Sequence, residues 1–226
     1  MKHLYIVAAV AASLTSGAAF ADTSNFDGFS IQVSSGIEQS KAGLHNIYLN
    51  GAPTQYTRSD VSSNNTPLNI GIDYTTSLND KFTLGVLAEM NPLNTKLGTS
   101  SQYLAGVPSG SFVDDTIKVH GQWGISLVPG YKINNESLGY LKFSYLSAKI
   151  DQTPINGTAA TLRNMNGYGI GVGYKHTLSQ KWQAFAETNY KKYTDKTALV
   201  ANSLLPYTNA AVLNGYNILF GISYKF

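Results

Sequence analysis

From residue 29 onward the chain repeats with a period of two. Phe29, Ile31, Val33, Ser35 and Ile37 alternate with mostly polar neighbours, as do Leu68, Ile70, Ile72, Tyr74 and Phe82, Leu84, Val86, Ala88, Met90. The pattern continues through Val119, Gly121, Trp123, Ile125, Leu127, then Leu141, Phe143, Tyr145, Ser147, then Tyr168, Ile170, Val172, Tyr174. It ends with Trp182, Ala184, Ala186, Thr188, Tyr190 and with Tyr216, Ile218, Phe220, Ile222, Tyr224, Phe226. Strict alternation is the signature of a strand with one buried and one differently solvated face, so eight strands are predicted. Their connections alternate in length: 78–81, 132–137 and 179–181 are short and rich in Asn, Asp, Ser and Lys, whereas 40–65, 92–115, 151–163 and 194–211 are long. Long loops gathered at one end and tight turns at the other describe an up-and-down barrel that crosses a membrane.

The two faces decide which side meets lipid. The apolar face of these segments carries no charge, while the interleaved positions hold Asp73, Glu89, Lys142, Glu187 and Lys225 among Gly, Ser, Thr, Asn and Gln. The outside of a soluble barrel would be dominated by charge. A small, neutral second face suits the crowded interior of an eight-stranded barrel, whose lumen side chains fill. Gly167, Gly169, Gly171 and Gly173 place four glycines on that inner face, leaving room for larger inward groups such as Phe185 or Leu219. With the first strand rising from the inner side, Phe29, Tyr74, Phe82, Tyr131, Tyr174, Trp182, Tyr224 and Phe226 fall at the turn end and Tyr168, Tyr190 and Tyr216 at the loop end, as two interfacial girdles.

Charges inside so narrow a barrel cost several kcal/mol each unless paired. Asp73, Glu89 and Glu187 are therefore expected to form lumen ion pairs with Lys142, Lys175 and Lys225, with Lys118 and His120 in the same inward register.

Composition sharpens this picture. The 226 residues are 43% apolar but only 13% charged, with a formal charge of +3, a mean hydropathy of −0.11 and no Cys. Disorder is disfavoured by the apolar content, and nucleic-acid binding by the scatter of 16 basic and 13 acidic residues. The start is a secretory signal peptide over 1–21, with Lys2 ahead of an apolar run and Ala19-Phe20-Ala21 as the cleavage site, leaving 22–226 as the barrel domain. No pair of His stands at metal-ligand spacing, so no metal or cofactor is expected. His45 with Asp60 and Ser59, Ser62 and Ser63 supplies residue types a hydrolase would use, but loop Ser and Asp are common and no nucleophile, base and orienter are fixed together; the chain is read as not an enzyme.

The final segment, with Phe220, Ile222, Tyr224 and a terminal Phe226 in alternation, looks like the assembly signal read by the outer-membrane barrel insertion machinery. Together with the glycine-alternating strand and the Trp182 hairpin it resembles the opacity-protein or surface-antigen family of eight-stranded outer-membrane barrels, which includes OmpX-like and OmpW-like proteins. The resemblance implies an all-β, eight-stranded antiparallel transmembrane barrel in the outer membrane of a Gram-negative bacterium, contacting lipid and lipopolysaccharide. It also implies loops displayed for structural or adhesive contacts with a host or matrix ligand. The alternatives are a narrow channel for ions or small hydrophobic solutes and, third, a lipid-modifying enzyme. Apolar clusters in the loops, such as Leu44, Ile47, Tyr48 and Leu49, or Leu97, Tyr103, Leu104 and Val107, are expected to pack between hairpins.

Overall fold

The structure is a computed structural model that describes residues 25–48, 56–58, 61–100, 102–104, 107–108, 115–154, 161–200 and 207–226; the segment 1–21, read from sequence as a signal peptide, lies outside them. In chain order the strands are β1 (Gly28–Tyr48), β2 (Tyr56–Arg58), β3 (Val61–Asn65), β4 (Leu68–Ser77), β5 (Phe82–Asn91), β6 (Thr95–Ser100), β7 (Gln102–Leu104), β8 (Val107–Pro108), β9 (Asp115–Lys132), β10 (Ser137–Pro154), β11 (Thr161–Thr177), β12 (Trp182–Val200) and β13 (Tyr207–Lys225). Every pairing is antiparallel and the ring closes through β10–β9. β3 with β4, and β5 with β6, each make one interrupted wall strand, so the barrel has eight walls. β2, β7 and β8 form a small separate sheet within what the alternation alone reads as loop.

The walls are longer than the lipid pattern predicts. A tilted strand needs about 9–11 residues to cross a bilayer, whereas β1 has 21 and β13 has 19. Along the turn-end half, Ile31, Ile72, Phe143, Ile170, Ile218 and Phe220 point outward and exposed. Farther out the polarity inverts: Lys41, Lys149, Asn164, Asn166 and Lys192 face out, while Ala42, Leu97, Ile117, Val119, Leu146, Ala148, Ile150, Met165, Tyr193 and Leu213 pack as one apolar core inside. The period of two persists, but its hydrophobic phase flips where the barrel leaves the bilayer. That flip is why the strand ends read as the long loops 40–65, 151–163 and 194–211. Leu97 does pack internally; the side chains of the other loop apolar residues lie outside the described set.

Two interruptions sit side by side in the wall. β5 pairs with β9 as far as Asn91↔Gln122. Pairing with β9 resumes only at Thr95↔Val119. Pro92, which has no N–H to give the ladder, stands in that gap. Opposite it, β9 bulges toward β10: Ser147 faces Trp123 but Lys149 faces His120, so two β9 residues oppose one. Gly121 takes φ +58 there, the left-handed conformation a bulge of this kind requires. The extra residue shifts the phase of β9, so Val119, expected outside, is buried, and Lys118, expected in the lumen, is exposed outside.

The turn end is closed by the chain entering β1. Asn25 Nδ2 donates to Asn135 O in the β9–β10 turn across the mouth (2.9 Å). Gln183 Nε2 in β12 donates to Asn25 O (2.8 Å). Ser77 Oγ donates to Asp27 (2.7 Å). Phe26 is buried between these ties.

Candidate functional site in the lumen and its interrupted wall

Inward positions of seven walls converge on a chain of buried polar groups. At its centre the Lys142 ammonium from β10 lies 2.8 Å from Glu89 of β5 and 3.0 Å from Glu187 of β12. Tyr140 Oη donates to the second Glu187 oxygen (3.0 Å). Toward the loop end, Asn189 Nδ2 contacts Glu187 Oε1 (3.0 Å) and Asn217 Oδ1 (2.8 Å). Asn217 Nδ2 donates in turn to Glu38 Oε2 (3.0 Å), which Lys191 Nζ also reaches (2.6 Å). Toward the turn end, Asp73 accepts from Ser30 Oγ (2.6 Å) and Thr75 Oγ1 (3.4 Å) and faces Lys175 at 4.0 Å. Lys142, Glu187, Glu38 and Asp73 are all buried.

This arrangement bridges the lumen. On the loop-end side of the Lys142 bridge a cavity of about 30 Å³ is lined by Asn69, Glu89, Asn91, Gln122, Lys191 and Asn217, among others. A second of about 30 Å³ lies on the turn-end side, lined by Gln32, Asp73, Thr75, Lys175 and Glu187, among others. Each has room for a water or two. The loop-end cavity also touches Met90 and Trp123, whose side chains stand exposed on the outer face. That is where the β5–β9 ladder stops. Asn91 Oδ1 accepts from Leu93 N (2.9 Å), holding the departing chain in a turn, while Asn91 Nδ2 is buried with no hydrogen-bond partner.

The family model for the outer membrane protein beta-barrel domain matches residues 7–226. The chain belongs to that family. It resides in the outer membrane of a Gram-negative bacterium, with the short turns on the periplasmic side. The solved structures of OprG and OmpT agree on the fold. The outer membrane protein OprG from Pseudomonas aeruginosa is 15% identical at a TM-score of 0.56, covering 91% of this chain and 99% of that one. The outer membrane protease OmpT from Escherichia coli is 12% identical at 0.52, covering 91% and 99%. The attachment invasion locus protein Ail of Yersinia pestis is 14% identical at 0.43, covering 85% and 99%. A search of curated proteins found no match.

Of the lumen charges expected from sequence, Asp73, Glu89, Glu187, Lys142 and Lys175 meet in the network, and Lys225 holds the inward register at the periplasmic end opposite Ser30. Lys118 does not join them, and His120 leaves the register to lie 3.0 Å from Asp151; the Gly121 bulge accounts for both. Glu38, Lys191 and Tyr140 were missed. Glu38 follows Ile37 and Lys191 follows Tyr190, one step past the last apolar outward residue of each strand, so extending the alternation by one would have found them. Two of the four glycines of β11 make room, but for other groups than expected: a Cβ on Gly171 would strike Asn189 and one on Gly173 the Tyr140 ring, while one on Gly167 would strike the β12 backbone at Lys192 and Tyr193; Phe185 fills space over Gly221 of β13.

The aromatic girdle at the periplasmic rim is a set of ring contacts: Phe29–Tyr74 (4.6 Å), Phe82–Tyr131 (5.5 Å), Trp182–Tyr224 (5.0 Å) and Tyr224–Phe226 (5.5 Å). Phe220, Ile222 and Phe226 of the terminal strand are exposed to lipid, and Phe226 N donates to Phe29 O (3.0 Å), closing the ring at its seam. His45 falls at the end of β1, where its backbone pairs with Ala210; its side chain, Ser59 and Asp60 lie outside the described residues.

Proposed function

We propose that the barrel passes small, mainly apolar solutes from outside the cell sideways into the outer membrane, through the wall interruption between β5 and β9. The observation that carries this reading is the cavity that adjoins Met90 and Trp123 where Pro92 ends the ladder. Two others support it. The barrel interior above the cavity is packed with apolar side chains, which an apolar solute would have to part on its way in, and below it the lumen is crossed by the Lys142 bridge and the Phe26 closure, so a lateral exit is the less obstructed one. The route requires no catalytic group.

Asn91→Trp should fill the cavity from the wall. Entry of a small apolar fluorophore into cells making this variant is expected to fall to the rate of cells lacking the protein, while heat-modifiable gel mobility still reports a folded barrel. Uptake equal to wild type in the folded variant would sink the lateral route.

A second role is surface display, favoured by walls that continue beyond the bilayer with a polar outer face. Its ligand would be met by loop residues outside the described set. We also infer that Phe220, Ile222, Tyr224 and Phe226 serve as the insertion signal. Deleting Phe226 should slow assembly by the insertion machinery yet leave spontaneous folding into pure lipid vesicles nearly unchanged, an outcome read by comparing the two folding rates on gels.

A further inference from the structure

One buried donor is left over at the wall interruption. Asn91 lines the loop-end cavity and is 4% exposed, and its Oδ1 accepts from Leu93 N at 2.9 Å. That bond fixes which arm of the amide is which, because a backbone N–H pairs only with the oxygen. Nδ2 is therefore the free arm, and no group among the described residues accepts from it. The acceptors that border the same cavity are committed elsewhere, Glu89 to the Lys142 ammonium (2.8 Å) and Asn217 Oδ1 to Asn189 (2.8 Å). A donor buried in this way has given up its bond to water with nothing in return, a loss at least as large as the net contribution of one hydrogen bond.

The cavity limits what can complete the amide. Its volume of about 30 Å³ admits a small polar head and not a whole solute, so the rest of a ligand has to lie between Met90 and Trp123, which border the cavity and stand half exposed on the lipid-facing side. The charges on the lining are already paired: Lys142 serves Glu89 and Glu187, and Lys191 serves Glu38. A carboxylate would add an uncompensated charge beside Glu89. An ammonium has no lone pair to offer Nδ2, and a pure hydrocarbon leaves the donor unpaired. A neutral acceptor oxygen on an apolar chain meets every condition.

We propose that the Asn91 amide is a binding site for the carbonyl oxygen of a neutral ketone or ester whose apolar tail lies between Met90 and Trp123. The site rests on the lateral passage proposed above and narrows its solutes from apolar compounds in general to those that carry a carbonyl.

Binding can be read apart from passage. Methyl octyl ketone and decane are titrated into the full barrel folded in detergent, each affinity corrected for partition into protein-free micelles. The ketone should bind about five- to tenfold more tightly, the factor that one net hydrogen bond supplies, and a carbonyl infrared band shifted to lower frequency should grow with occupancy. Asn91→Leu should equalise the two affinities and remove the shifted band. Equal affinities in the wild-type barrel, the result expected if water alone serves the amide, would overturn the site without reliance on any variant, and so would a folded Asn91→Leu barrel that keeps the preference. Entry of the same two solutes into cells making or lacking the barrel tests the passage instead. Preferential ketone binding without faster entry would reject the lateral route and keep the site, whereas an equal gain in entry for ketone and alkane would reject the site and keep the route.

Discussion

Lys142→Met is expected to destabilise the barrel by about 3–5 kcal/mol, the loss typical of leaving a buried charge without its partner. The reason is that one ammonium serves two carboxylates, Glu89 at 2.8 Å and Glu187 at 3.0 Å. With it gone, Glu187 keeps Tyr140 and Asn189 as donors, but two negative charges share one narrow section of lumen with no counterion between them. Urea unfolding of the barrel in lipid vesicles, followed by gel mobility, measures the effect. Adding Glu187→Gln should recover a large part of the loss because it removes one of the stranded charges. A Lys142→Met barrel as stable as wild type would show that water, rather than the ammonium, compensates these carboxylates. The same variant should still resist ion flow, since Phe26 and the Asn25 ties close the periplasmic mouth independently of the bridge.

What could be read from the chain follows the bilayer. Between the girdles, solvent outside is hydrocarbon, so alternation of Ile218, Phe220 and Ile222 with Asn217, Leu219 and Gly221 reports inside and outside directly. Above the outer girdle, the outside is water or headgroup and the inside is an apolar core; Lys149 then alternates with Ala148 and Ile150, and a reader following the lipid pattern sees it end. Bulges hide from periodicity for another reason. Gly121 sits in an apparently unbroken series from Val119 to Leu127, and only its φ of +58 and the skipped partner at Ala148 reveal that Val119 and Lys118 have exchanged faces. The lumen charges were legible by type and face within the belt. Their pairing was not, because strand stagger decides that Lys142 meets Glu187 two strands away, and no local rule encodes stagger.

The same stagger governs the second large effect. Gly173→Leu should cost about 3 kcal/mol, the upper part of the range for overpacking, because its Cβ would lie inside contact distance of the Tyr140 ring. That ring cannot swing aside cheaply: its hydroxyl is committed to Glu187 (3.0 Å), and Glu187 is fixed by Lys142 and Asn189. A small residue in β11 is thus required by an ion pair anchored on β10 and β12. If this account is right, Tyr140→Ala, costly alone as a large-to-small change, should offset much of the Gly173→Leu penalty, and the double variant should be more stable than the sum of the singles predicts by about 1–3 kcal/mol. Additive losses would mean that the glycine serves backbone closure rather than the ring. Gly171, whose Cβ would meet Asn189 and the Thr188 carbonyl, provides the contrast: there backbone stands in the way, so trimming Asn189 should rescue Gly171→Leu poorly.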